Sequence, residues 1–78
     1  MQLKPRSSFV DGRGNIIRIY GVAKSQIIDD KKVYWALHGD WYLEEGTYLY
    51  GTKPHPSKRS LVAESDPQES EEFWKGIK

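Results

Sequence analysis

VYWALHGDWYLEEGTYLYG, residues 33–51, carries six of the ten aromatic side chains of a 78-residue chain. Its periodicity decides the fold. Val33, Trp35 and Leu37 alternate with Tyr34, Ala36 and His38, and a period of two sends successive side chains to opposite faces of a strand. HGD (38–40) and EEG (44–46) then break the pattern, with Gly39 and Gly46 placed where a left-handed residue closes a turn. Strands are therefore expected around 41–43 and 47–50. Continued through the turns, the alternation groups Val33, Trp35, Leu37, Trp41, Leu43 and Leu49 on one face. Two indoles and four aliphatic side chains make this the expected core. Tyr34, Tyr42, Tyr48 and Tyr50 fall on the opposite face, beside Ala36 and His38, where a phenol can keep its ring on the sheet and its hydroxyl in water.

Working outward, SSFVDGRGNIIRIYGVAK (7–24) reads as strand, turn, strand. Asp11-Gly12 and Gly14-Asn15 are turn residues, and the run 16–20 is β-branched and aromatic. Gly21 interrupts that run as a bulge or bend would. QIIDDKKVYWAL (26–37) predicts a hairpin turning through 29–32. GTKPHPSKRS (51–60), with Pro54 and Pro56, reads as an exposed loop, and LVA (61–63) as one more short strand. A helix is predicted over 66–75. Ser65 or Asp66 caps it, Pro67 takes the first position, Gln68 or Glu69 completes a capping box, and Gly76 stops it. So short a helix needs Phe73 and Trp74 docked on the sheet. Pro5 and the lack of periodicity make residues 1–7 a flexible arm, leaving 8–78 as one small domain.

The expected fold is mainly β, a small α+β domain. A bent antiparallel sheet of five or six strands, or a small barrel resembling SH3-like domains in layout, carries a short C-terminal helix. With no cysteine, neither disulfides nor thiolate chemistry are available. No apolar run approaches the roughly 20 residues that span a bilayer, and the N-terminus has no signal-peptide core, so a soluble, cytoplasmic chain is expected. Net charge is +1, banded by sign along the chain: residues 1–24 carry +4, 25–50 carry −3, 51–63 carry +3 and 64–78 carry −3.

The candidate chemistry is sparse. VDGRGN (10–15) lacks the spacing and following helix of a phosphate loop and reads as a hairpin turn. His38, Asp40 and His55 lack metal-ligand spacing. Glu44 and Glu45 are adjacent and form no acid–base dyad, and no nucleophile has a defensible base. No cofactor, metal or catalytic residue is expected. The acidic run at 69–72 is expected to be a solvated helix face. The expected function is that of a non-catalytic accessory, adaptor or inhibitor module that recognises another protein. Its site would be Tyr34, Tyr42, Tyr48 and Tyr50, with Lys53, Lys58 and Arg59 at the rim. The alternative is nucleic-acid binding, with tyrosines stacking on bases and Lys4, Arg6, Arg13, Arg18, Lys53, Lys58 and Arg59 on phosphates. A free sheet edge would allow a monomer or a homodimer.

Overall fold

The computed structural model describes residues 2–24 and 31–77. Its seven strands are β1 (Ser7–Asp11), β2 (Ile16–Lys24), β3 (Lys32–Ala36), β4 (Trp41–Leu43), β5 (Tyr48–Tyr50), β6 (Lys53–Pro54) and β7 (Leu61–Glu64), followed by helix α1 (Pro67–Lys75). All pairings are antiparallel, in the order β6-β5-β4-β3-β2-β1-β7. The expected class is present, with one or two strands more than predicted. The strand missed, β6, is two residues long and contains a proline. That is tolerable only because it lies at the sheet edge, where no neighbour needs the missing N–H. The predicted strand at 26–28 and most of its turn lie outside the described residues.

Three hairpins share one turn geometry. The N–H groups of Gly14, Gly39 and Gly46 donate to the carbonyls of Asp11, Ala36 and Leu43, at 3.0, 3.0 and 2.8 Å. Each glycine has a positive φ, between 84° and 100°. A tight turn followed by a left-handed residue matches the twist of the flanking strands, which is why glycine occupies each of these positions. At the first hairpin Asp11 reinforces the turn. Its fully buried carboxylate accepts from the N–H groups of Arg13 and Asn15 at 2.8 and 3.0 Å, and Arg13 closes a salt bridge on it at 2.8 Å. Burial alone would raise the pKa of this carboxyl. The hydrogen bonds from Asn15 and Arg13, with the guanidinium charge, outweigh burial and hold it below the ordinary value.

The sheet curls into a half-barrel, and distant segments meet across the opening. Leu61 N–H donates to the Gly46 carbonyl at 2.8 Å, and Gly12 N–H to the Ser60 carbonyl at 3.2 Å. Leu3 N–H reaches the Glu44 carbonyl at 3.0 Å. The expected arm is thus tied down in part, since the Leu3 side chain is buried among Phe9, Ile17, Ile19, Tyr42 and Leu61.

That interior corrects the expected phase of residues 33–51. The alternation holds, but Tyr34, Tyr42 and Tyr48 point inward, at 4%, 0% and 7% exposure, while Trp41 is 44% exposed and Trp35 only half-buried. The cause lies in β2. Ile17 and Ile19 pair with Phe9 and Ser7 on the concave side, and Ile19 pairs with Ala36, carrying the inner face onto the even-numbered residues of β3. The register then shifts at Tyr20, where Gly21 instead faces Trp35, so the bulge expected at Gly21 is present.

Helix α1 starts as predicted. The Asp66 side chain accepts from Gln68 N–H at 3.1 Å, Pro67 takes the first turn, and Gly76 caps the C-terminus. It lies on the convex side of β1 and β2. There Arg18 donates to Ser8 Oγ and to Glu69 Oε2 at 2.9 Å each, and its guanidinium stacks 4.0 Å from the centre of the Phe73 ring. Ser70 donates to Ser8 at 2.9 Å, and Trp74 is buried. Arg6, with its backbone at φ 57°, donates to the carbonyls of Trp74 and Ile77 at 2.9 Å each, satisfying the end of the helix. No helix among the described residues is long and apolar enough to cross a membrane.

Candidate functional site

The register gathers one row of apolar side chains on the convex face. Gly21 pairs with Trp35, Trp35 with Trp41, Trp41 with Leu49, and Leu49 with Pro54, so the row crosses five strands from β2 to β6. Because cross-strand partners share a face, Val33 and Leu43 lie beside the row, and they are buried with Leu49 as a second small cluster.

The rings are ordered by direct contact. Tyr20, the bulged residue, stacks on Trp35 with centroids 4.8 Å apart and planes inclined by 30°. Trp35 leans towards Trp41 at 6.5 Å and 47°, and Tyr20 reaches Trp74 at 6.1 Å. Gly21 makes this possible, because a Cβ there would lie 2.5 Å from Trp35 Cζ2. Trp35 thus rests on bare backbone. Leu37, 46% exposed at the start of the following turn, and Tyr20, 36% exposed, leave the row open to solvent with Trp41.

The site read from sequence divides in two. Tyr34, Tyr42 and Tyr48 are brought together, as successive partners across β3, β4 and β5, but they form a buried wall and cannot be a contact face. Burial, and then the charge of Glu44, raises the pKa of Tyr34; burial, and then the charges of Asp40 and Asp11, raises that of Tyr42. The Tyr42 hydroxyl has no partner among the described residues. Tyr48 receives a hydrogen bond from Arg59 Nη1 at 3.0 Å.

Tyr50, Lys53, Lys58 and Arg59 are all exposed. Tyr50 is 72% exposed and pairs with Lys53, and its ring lies 6.2 Å from that of the exposed His55. The segment after β6 is ordered by its own serines. Ser60 Oγ accepts from Tyr48 N–H at 3.0 Å, and Ser57 Oγ from Arg59 N–H at 3.2 Å. Its backbone also rests against the first hairpin, where a Cβ on Gly12 would lie 2.9 Å from the Lys58 carbonyl.

Of the basic residues in the nucleic-acid alternative, all four arginines make internal contacts: Arg6 with α1, Arg13 with Asp11, Arg18 with Glu69 and Arg59 with Tyr48. His38 Nε2 lies 2.8 Å from Asp40 Oδ2 in an open turn. His55 packs with Tyr48 and Tyr50, and no group of three metal-ligating side chains forms among the described residues. The sequence reading missed Tyr20, Trp35 and Trp41 as a surface. The available signal was Gly21, a gap in a strand that a large neighbour can cover.

Comparison of this chain with protein-family models, curated proteins and solved structures finds no match.

Proposed function

We propose that this protein is a small non-catalytic binding module, of accessory, adaptor or inhibitor type, that recognises a protein partner through Tyr20, Trp35 and Trp41. One observation carries the reading. Three of the five tyrosines, each with a polar end, fill the interior, while two of the three tryptophans lie on the outer face of a sheet too short of residues to waste them. Burying a large aromatic is the strongest stabilising option open to a domain of this size. Leaving Trp41 exposed and Trp35 only half-buried forgoes part of that gain, and it suits a surface whose burial is completed by a partner. Tryptophan and tyrosine dominate the binding energy of protein interfaces, and a rigid ring loses little entropy on binding. The contacts with Gly21 and Tyr20 provide that rigidity here. Engagement of all four arginines within the fold favours this reading over a nucleic acid on the same face.

Capture from the source organism's lysate with wild type and Trp41→Ala tests it. Trp41 is the more exposed indole, so its loss should leave the fold intact by circular dichroism. The bound set should weaken by about 2 kcal/mol or more, some thirtyfold. It should also hold between 50 and 200 mM salt, where an electrostatic contact would fade. A bound set that is the same with Trp41→Ala sinks the reading. Sedimentation shows whether the captured partner is a second copy of the chain.

A further inference from the structure

We infer that the opposite side of the β5–β6 edge is a second site, independent of the aromatic row, and that it takes single-stranded nucleic acid. Leu49 and Pro54 belong to the convex row, so the alternation turns Tyr50 and Lys53 away from it. Tyr50 is the most exposed large apolar side chain among the described residues, and its ring is bare beside His55. Stacking on a base needs a ring held at the surface with little side-chain packing over it, and Tyr50 is held so on β5, between β4 and β6.

The segment that carries the ring bears charge of one sign. Residues 46–63 contain no acid, and Lys53, His55 and Lys58 are exposed. Neither lysine has an ion-pair partner among the described residues. Of the acids near this segment, Asp11, across the Gly12–Lys58 contact, is held by Arg13, and Asp40, whose Oδ2 lies 2.8 Å from His38 Nε2, extends its charge to Arg59. Arg59 acts as a positioning residue. It lies over Tyr48 and donates to its hydroxyl, fixing the segment that carries Lys58. Ser57 and Ser60 fix the same segment, so the backbone that carries Lys58 is ordered before any ligand arrives. Lys53, the cross-strand partner of the bare ring, and Lys58, further along the same acid-free segment, suit the phosphates of a strand whose unpaired base stacks on Tyr50. A duplex, with its bases already stacked, offers nothing to Tyr50.

The test is fluorescence anisotropy with a labelled twelve-nucleotide single strand, using the whole chain. Two or three phosphate contacts give a log–log salt slope of about −1.4 to −2.1, so the dissociation constant should rise about sevenfold to eighteenfold from 50 to 200 mM salt. Tyr50→Ala should weaken binding by about tenfold at fixed salt. The Lys53→Ala/Lys58→Ala double variant should flatten the slope by about 1.4. Trp41→Ala should bind the strand as wild type does, which separates this site from the protein-binding face. No binding of the strand at 50 mM salt overturns the inference. So does equal affinity for a duplex, or displacement by polyglutamate with no loss in Tyr50→Ala, since either would leave a charge contact without stacking.

Discussion

A methyl group at position 21 would meet the Trp35 indole at 2.5 Å, so Gly21→Ala must tilt the ring off the strand or push the strand aside. Overpacking of this kind costs about 1–3 kcal/mol. The urea midpoint should fall, and the near-ultraviolet dichroism of the Tyr20–Trp35 stack should shrink with it. The reverse is expected inside the half-barrel. Tyr42 is fully buried and its hydroxyl lacks a partner among the described residues. Tyr42→Phe therefore removes an uncompensated polar group and should raise stability by about 1 kcal/mol. Tyr48→Phe should lower it, because Arg59 loses its acceptor. The raised pKa values of Tyr34 and Tyr42 set the alkaline limit. Unfolded phenols ionise near 10 while the buried ones stay neutral. Their contribution is complete below that value and is lost as pH rises from it towards the folded values. A stability–pH profile of Tyr42→Phe should fall less steeply above pH 10 than that of wild type.

At the scale of the element, α1 has few apolar ties. Trp74 is its one buried side chain, and the rest of its attachment is polar, through Arg18 with Glu69, Ser8 with Ser70, and Arg6 with the last carbonyls. The hydrogen bond from Arg18 lowers the pKa of Glu69 against the opposing effect of burial. A lowered carboxyl contributes above its ordinary pKa, and the contribution disappears as pH falls through the folded value. Glu69→Gln should accelerate amide exchange across α1 at neutral pH and leave β3, β4 and β5 unchanged. Exchange that stays the same in both regions would show that Glu69 does not hold the helix. The bounds of this helix were legible because caps are local chemistry, written at Asp66, Pro67 and Gly76. The three glycine hairpins were legible for the same reason. Strand β6 was not, because Lys53 and Pro54 enter the sheet only through the partner that β5 offers them.

For the whole molecule, closure depends on parts far apart in sequence. Leu3 plugs the interior from one terminus. Leu3→Ala should cost about 2–4 kcal/mol, a large share of the roughly 4–12 kcal/mol expected for a chain of this length. Thermal unfolding should show the loss. The same remoteness explains why the phase of residues 33–51 was misread. Alternation shows which side chains share a face, but the enclosed face is chosen by Leu3, Phe9 and Leu61, none of them nearby in sequence. The bulge at Tyr20 moved the register by one residue, and no pattern within β3 records that shift. Ranking the two faces by hydropathy favoured the indoles, yet the tighter concave side had been filled by tyrosines. The strand order has a kinetic corollary. From β1 to β6 each strand pairs with its successor, whereas β7 must return to β1, joining Phe9 to Glu64. Neighbouring hairpins form in microseconds, while a pairing across most of the chain waits on loop-closure entropy. Assembly therefore has a built-in order: the hairpins zip first, and the C-terminal quarter shuts the curl last.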